Sequence, residues 1–208
     1  MIGLFLYALG IAFTIQANIG YGPWEVFHAG LALRTGMSIG VASIVAGVAI
    51  LIVVTLCKEE LGLGSIVSMI VTGLFIDLIL IINVIPVPAS LPGGVAMLVA
   101  GLFVISAGSY FYIKSAFGAG PRDNLMVLLA RKTKLPIGLC RGMVELAATL
   151  IGWMLGGMVG IGTLISGFAI GLCIQLTFAA FKFDATAVRH EPIKQTFVNA
   201  FKGRKRRG

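Results

Sequence analysis

The chain has 208 residues, of which 58% are hydrophobic and only 12% charged, and its mean hydropathy is +1.02. A soluble domain carries roughly 25% charged residues, so too few charges remain here to solvate a globular surface, and the surrounding medium is lipid. The net charge of +8 is gathered in two blocks, Lys114 to Arg141 and Lys182 onward. That pattern belongs to membrane topology and argues against a nucleic-acid partner.

Six apolar stretches follow one another: Ile2 to Ala17, Ile39 to Cys57, Ile66 to Ile85, Val95 to Ile113, Ile137 to Leu155, and Thr163 to Phe181. Each is near the length that crosses the hydrocarbon core, so each is predicted to be a membrane-spanning helix. The first lacks the basic start of a signal peptide and is read as a true span. Between the first and second stretches, and again between the fourth and fifth, lie semi-apolar segments, Phe27 to Leu33 and Leu125 to Ala130. Each could form a short helix dipping into the bilayer. The linker Pro86 to Gly94 holds three prolines and two glycines and cannot be helical throughout.

The chain also resembles itself. Gly20-Tyr21-Gly22-Pro23-Trp24-Glu25 matches Gly118-Ala119-Gly120-Pro121-Arg122-Asp123 at an offset of 98 residues. The same ungapped offset lays Gly3-Leu4-Phe5 on Gly101-Leu102-Phe103, Ile39-Gly40 on Ile137-Gly138, and Gly62-Leu63-Gly64-Ser65 on Gly160-Ile161-Gly162-Thr163. A fixed register over this length is the signature of a duplicated unit. The expected architecture is all-α: a polytopic bundle of about six spans built from two inverted three-helix repeats. Residues 1–85 form the first repeat, 86–94 a linker, 95–181 the second repeat and 182–208 a basic tail.

Three spans per unit is an odd number, so the second unit enters the bilayer upside down. One side then receives Lys58, the group Lys114, Arg122, Arg131, Lys132 and Lys134, and the basic tail, while the other receives little beyond Arg34. By the positive-inside rule both termini are expected in the cytoplasm. The tail mixes Phe197, Val198 and Phe201 with Lys194, Lys202 and Arg204 to Arg207. It fits a segment lying on anionic lipids, and equally a disordered basic end.

Candidate functional residues come from the helix breaks. At Gly20, Gly22 and Pro23, and at Gly118, Gly120 and Pro121, one helix is expected to stop and another to start on proline. Glu25 and Asp123 then fall in a first helical turn, where a carboxylate meets the positive end of the dipole. They read equally as helix caps or as groups presented to a central site by two broken helices. Arg122 takes the place of Trp24 between the units, and Trp24 itself reads as an interfacial anchor. Asp77 and Glu145 lie inside apolar runs, where an ionised group needs a partner or a water-filled path. Glu145 has Arg141 one turn away, whereas Asp77 has no local partner. These five charged residues, Glu25, Asp77, Arg122, Asp123 and Glu145, are the candidate solute-binding set. His28 reads as a packed histidine more readily than as a proton relay. Cys57, Cys140 and Cys173 are isolated and read as packing residues.

No nucleotide-binding, zinc-protease or serine-hydrolase motif is present, so the chain is not expected to be an enzyme, nor to need a cofactor or metal. Expected partners are the bilayer, an unidentified small solute and a second copy of the chain in a homo-oligomer.

The run from Gly20 through Leu31, continued by Arg34-Thr35-Gly36-Met37-Ser38-Ile39-Gly40, resembles the YczE-like family of bacterial integral membrane proteins, grouped with YyaS- and YitT-type proteins. The second half, from Gly120-Pro121-Arg122-Asp123 through Gly160-Ile161-Gly162-Thr163, fits the same resemblance. The family pattern usually has Asp at position 25 and a basic residue upstream that is missing here. The resemblance implies a bacterial inner-membrane protein and brings no substrate or catalytic residue with it. The leading expectation is a small transporter or channel-like protein, and the alternative is a membrane scaffold or regulatory factor.

The topology is open to direct test. Reporter fusions placed after Ser90 and after Gly208 are expected to report opposite sides of the membrane. The same side for both would exclude an odd number of spans between them.

Overall fold

In lipid every backbone N–H and C=O needs a partner within its own segment, and a helix supplies one for nearly all of them. The computed structural model describes residues 1–57, 63–114 and 120–182. These form eight helices in chain order: α1 Ile2–Gln16, α2 Pro23–Thr35, α3 Ile39–Leu56, α4 Leu63–Ile82, α5 Leu91–Lys114, α6 Pro121–Thr133, α7 Ile137–Met154 and α8 Ile161–Ala180. The basic tail from residue 183 lies outside the described residues.

Four helices, α3, α4, α5 and α8, are by themselves long and apolar enough to cross a membrane. A fifth span arises if α6 and α7, which meet at a 119° bend, count as one. The expectation of six is thus met in part. At 15 residues α1 is shorter, about 22 Å of helix against a core about 30 Å thick. Both semi-apolar segments form complete helices, α2 and α6, longer than the sequence suggested. The linker is shorter than expected, because α5 begins at Leu91 and takes in Pro92. Proline in a first turn removes no needed hydrogen bond.

Helix bounds recur at the offset of 98. Pro23–Thr35 and Pro121–Thr133, Ile39–Leu56 and Ile137–Met154, and Leu63–Ile82 and Ile161–Ala180 match end for end. The N-cap residues share a conformation, Gly22 at φ −61, ψ 158 and Gly120 at φ −62, ψ 162. Both short helices stop on a left-handed residue, Gly36 or Lys134.

The most extensive packing joins α1 to α5, antiparallel, through small residues seven apart: Gly3, Gly10 and Ala17 against Gly108, Gly101 and Gly94. A methyl group on Gly10 would lie 2.7 Å from the Gly101 carbonyl oxygen, and one on Gly108 would lie 2.9 Å from that of Gly3. Contact this close lets the backbones themselves meet, which is how helices associate where lipid removes the hydrophobic drive. Around the seam Ala8, Ile11, Ala12 and Ile15 of α1 pack with Ile76 and Ile79 of α4, Leu102 and Ile105 of α5, and Cys173 of α8. Buried hydroxyls bond back into their own helix, as Thr14 to Ile11 O, Ser106 to Leu102 O and Ser109 to Ile105 O do.

A second glycine contact holds α2 on α7, where a methyl on Gly152 would collide with the backbone of Phe27 and one on Gly30 with the carbonyl of Gly152. The turn after α1 is pinned to the turn before α8 by Gly162 N–H to Ile19 O (2.8 Å) and Tyr21 N–H to Met158 O (3.1 Å). Gly20 sits there at φ 112 against the backbone of Gly160, a place that admits no side chain. Large apolar side chains point outward along α3, α4, α7 and α8, among them Ile52, Leu74, Leu146 and Phe168, and form the lipid-facing surface.

The glycine contacts predict a contrast. Gly10→Leu is expected to cost about 3 kcal/mol or more, the upper range for overpacking. Gly142→Leu meets open space and is expected to be tolerated. Resistance to denaturing detergent, read by helical circular dichroism, checks both.

Candidate functional site

The two proline-initiated helices aim their N-termini at each other. Glu25, in the first turn of α2, is buried and folds its carboxylate back over its own helix end, with Oε2 2.5 Å from where a methyl on Gly22 would sit. The positive end of the dipole stabilises it there. Its Oε1 lies 3.4 Å from a guanidinium nitrogen of Arg122, in the first turn of α6. The guanidinium also lies over the Trp24 indole, 4.9 Å from the ring centroid. A cation on an aromatic face gains from the ring quadrupole, the more so away from water. Trp24 is buried, not an interfacial anchor, and shares an aromatic cluster with Phe27 and His28.

Beside this pair lies a cavity of about 340 Å³, lined from all eight helices. That is within the range of small-molecule sites, roughly 300–1,000 Å³. Gly22, Pro23, Glu25, Gly120, Pro121 and Arg122 all border it. Among the described residues the other charged side chains on its wall are Arg141 and Glu145 of α7, bonded to each other from Nε to Oε1 at 2.9 Å. The wall is mostly apolar, with hydroxyl groups of Ser43, Ser68, Thr72, Ser109 and Ser166 interspersed. Among the described residues the Ser166 hydroxyl is the buried side-chain oxygen that has no hydrogen-bond partner. It is 3% exposed. An unpaired buried hydroxyl is costly unless something polar arrives to meet it.

The sequence-derived candidates therefore divide. Glu25, Arg122 and Glu145 come together on the cavity, and so do the breaks at Gly22, Pro23, Gly120 and Pro121. Gly20 belongs instead to the turn pinned against Gly160. Gly118 and the side chain of Asp123 lie outside the described residues. Arg122 is no loop charge, since it is a helical residue turned into the bundle.

Asp77 corrects an expectation. It has partners, 37 and 39 residues away: Gly40 N–H donates to Oδ1 at 2.7 Å and Ser38 Oγ donates to Oδ2 at 2.5 Å. It caps the N-terminus of α3 from α4 and is not part of the cavity wall. No local pattern shows such a partnership, because it is made across a helix pair.

The reading of His28 as a packed residue is met by its burial, but sequence reading missed that His28 and Trp24 border the cavity, and it missed the hydroxyl set on the wall. The offset could have found part of it. Ser68 and Ser166 are 98 residues apart and both line the cavity, as do Leu4 with Leu102 and Ile11 with Ser109.

Comparison with known proteins places the chain among bacterial sequences. A family model described as "Family of unknown function (DUF6198)" matches residues 1–178. An uncharacterised protein of Haemophilus influenzae is 30% identical over 175 residues, 84% of this chain and 79% of that protein. The uncharacterised membrane protein YczE of Bacillus subtilis is 30% identical over 177 residues, covering 84% and 81%. YyaS of the same organism is 28% identical over 179 residues, covering 84% and 88%. No solved structure matches.

The Glu25–Arg122 pair makes a measurable claim. The pair lies inside the bundle, so Glu25→Gln and Arg122→Gln are each expected to destabilise. The double variant is expected to cost less than their sum by about 1 kcal/mol. Detergent-denaturation curves of the four proteins give the coupling, and strict additivity would show that the two groups do not interact.

Proposed function

The chain belongs to the DUF6198 family, and we propose that it is a small transporter or channel-like protein of the bacterial inner membrane, moving a small solute through the central cavity. One observation carries the reading: two proline-initiated helix ends, far apart in sequence, converge on one cavity and face it with Glu25 and Arg122. Broken helices that meet at the centre of a bundle are a recurrent way to bind solute in transporters. A scaffold would gain nothing from a hollow centre and would pack it dry. The activity proposed is not enzymatic.

In this reading the spans are α1, α3, α4, α5, α7 and α8, arranged as two inverted repeats with both termini in the cytoplasm. The equal helix bounds at the offset of 98 support the repeat. The antiparallel course of α1 along the full-length helix α5 supports a spanning role for α1 despite its length. The wall indicates the kind of solute. An apolar lining with the buried, unpaired Ser166 hydroxyl and two ion pairs suits a molecule with an apolar body and a polar or zwitterionic end.

Proteoliposomes loaded or bathed with panels of small amphipathic metabolites test the proposal. Flux of at least one solute above that of empty liposomes is expected. Arg122→Gln is expected to lower it about tenfold or more, in line with the loss of a charge-assisted hydrogen bond. Ser166→Ala is expected to lower it less, and Leu164→Ala, on the lipid face, not at all. Absence of any flux across the panels would favour the scaffold.

A further inference from the structure

The helix contacts of the two halves match, with one exception. The contact of α1 with α4 has its counterpart in α5 with α8, that of α2 with α7 in α6 with α3, and that of α2 with α3 in α6 with α7. The counterpart of the α3–α4 seam would be an α7–α8 seam, and no comparable packing exists there.

The α3–α4 seam is tight. A methyl on Gly40 would collide with the Gly73 carbonyl, and one on Gly73 would lie 2.7 Å from the Gly40 carbonyl oxygen. Asp77 latches it through Ser38 and the Gly40 N–H. At the offset of 98 the equivalent glycines are Gly138 on α7 and Gly171 on α8, and a methyl on either would meet nothing within 4 Å. The same surfaces that are locked together in one half stand apart in the other. The open pair also borders the cavity, with Arg141, Val144 and Glu145 on α7 and Ser166, Ile170 and Ile174 on α8.

We infer that the α7–α8 seam is a gate that closes by bringing Gly138 against Gly171 as Gly40 meets Gly73, while the α3–α4 seam opens in exchange. The inference rests on the transporter reading and its inverted repeat. With the repeats inverted, the two seams lie toward opposite faces of the membrane, so the exchange turns the cavity from one side to the other. Glycine-lined seams suit the task, since their packing is close when made and leaves no side chain to be stripped when broken. The latch sets which side rests closed. Gln175 stands where Asp77 does, and Pro136 where Ser38 does, so a closed α7–α8 seam lacks both the charged acceptor and the serine hydroxyl.

Spin-label distances across the open seam test this without any transport assay, so a failure here is separable from a failure of the solute reading. Leu139 and Leu176, both exposed, are replaced by labelled cysteines in full-length protein with Cys57, Cys140 and Cys173 changed to alanine, in lipid nanodiscs. Two distances are expected, a dominant long one and a minor short one. Asp77→Asn weakens the latch and is expected to raise the short population about tenfold. Gly171→Leu fits the open space of the conformation described, so folding is expected to be unaffected while the short distance disappears. A single long distance that neither variant changes would overturn the gate, as would a short population that survives Gly171→Leu.

Discussion

The contact on which the bundle depends is the meeting of bare backbone between α1 and α5. In lipid, apolar side chains gain nothing by leaving a neighbour that is as apolar as they are, so association must come from close packing and polar contacts. Glycines seven apart on both helices provide that closeness at Gly3 with Gly108 and Gly10 with Gly101. Once the pair is fixed, α4 and α8 pack onto it through one cluster of Ile and Leu side chains. The short helices α2 and α6, which follow α1 and α5 in the chain, bring Glu25 and Arg122 to the cavity.

The cavity shows how charge is tolerated in such a setting. An isolated ion would be expensive inside the bundle, and among the described residues each carboxylate on the wall is matched with an arginine. The two pairs differ in kind. Arg141 and Glu145 are a local pair on one helix face, at 2.9 Å. Glu25 and Arg122 are joined at 3.4 Å across the centre from two different helix ends, with Trp24 under the guanidinium. A longer bond between two separate helix ends is weaker than the local pair.

Much of the fold was legible because it depends on local pattern. Apolar runs bounded by turn residues placed α3, α7 and α8 to within two residues, and the Gly-x-Gly-Pro motif marked the starts of α2 and α6. The Arg141–Glu145 pair followed from spacing alone. What could not be read was everything decided between helices. Asp77 looks solitary because Ser38 and Gly40 reach it only after α3 and α4 associate. Trp24 resembles an interfacial anchor because nothing in its own segment shows that Arg122 will cover its ring. Ser166 is one hydroxyl among many in a membrane helix, and its unpaired state depends on the hollow in front of it.

The balance of formal charge on the cavity wall has an electrical consequence. Glu25 and Glu145 offset Arg122 and Arg141, so the empty wall carries no net formal charge from these four. A charge carried across the membrane field exchanges about 2.3 kcal/mol with it for every 100 mV. Four charges that cancel exchange almost none of this with the field together, and a neutral or zwitterionic solute would leave the sum at zero. On the transporter reading proposed above, movement of a neutral or zwitterionic solute is expected to be nearly blind to the membrane potential.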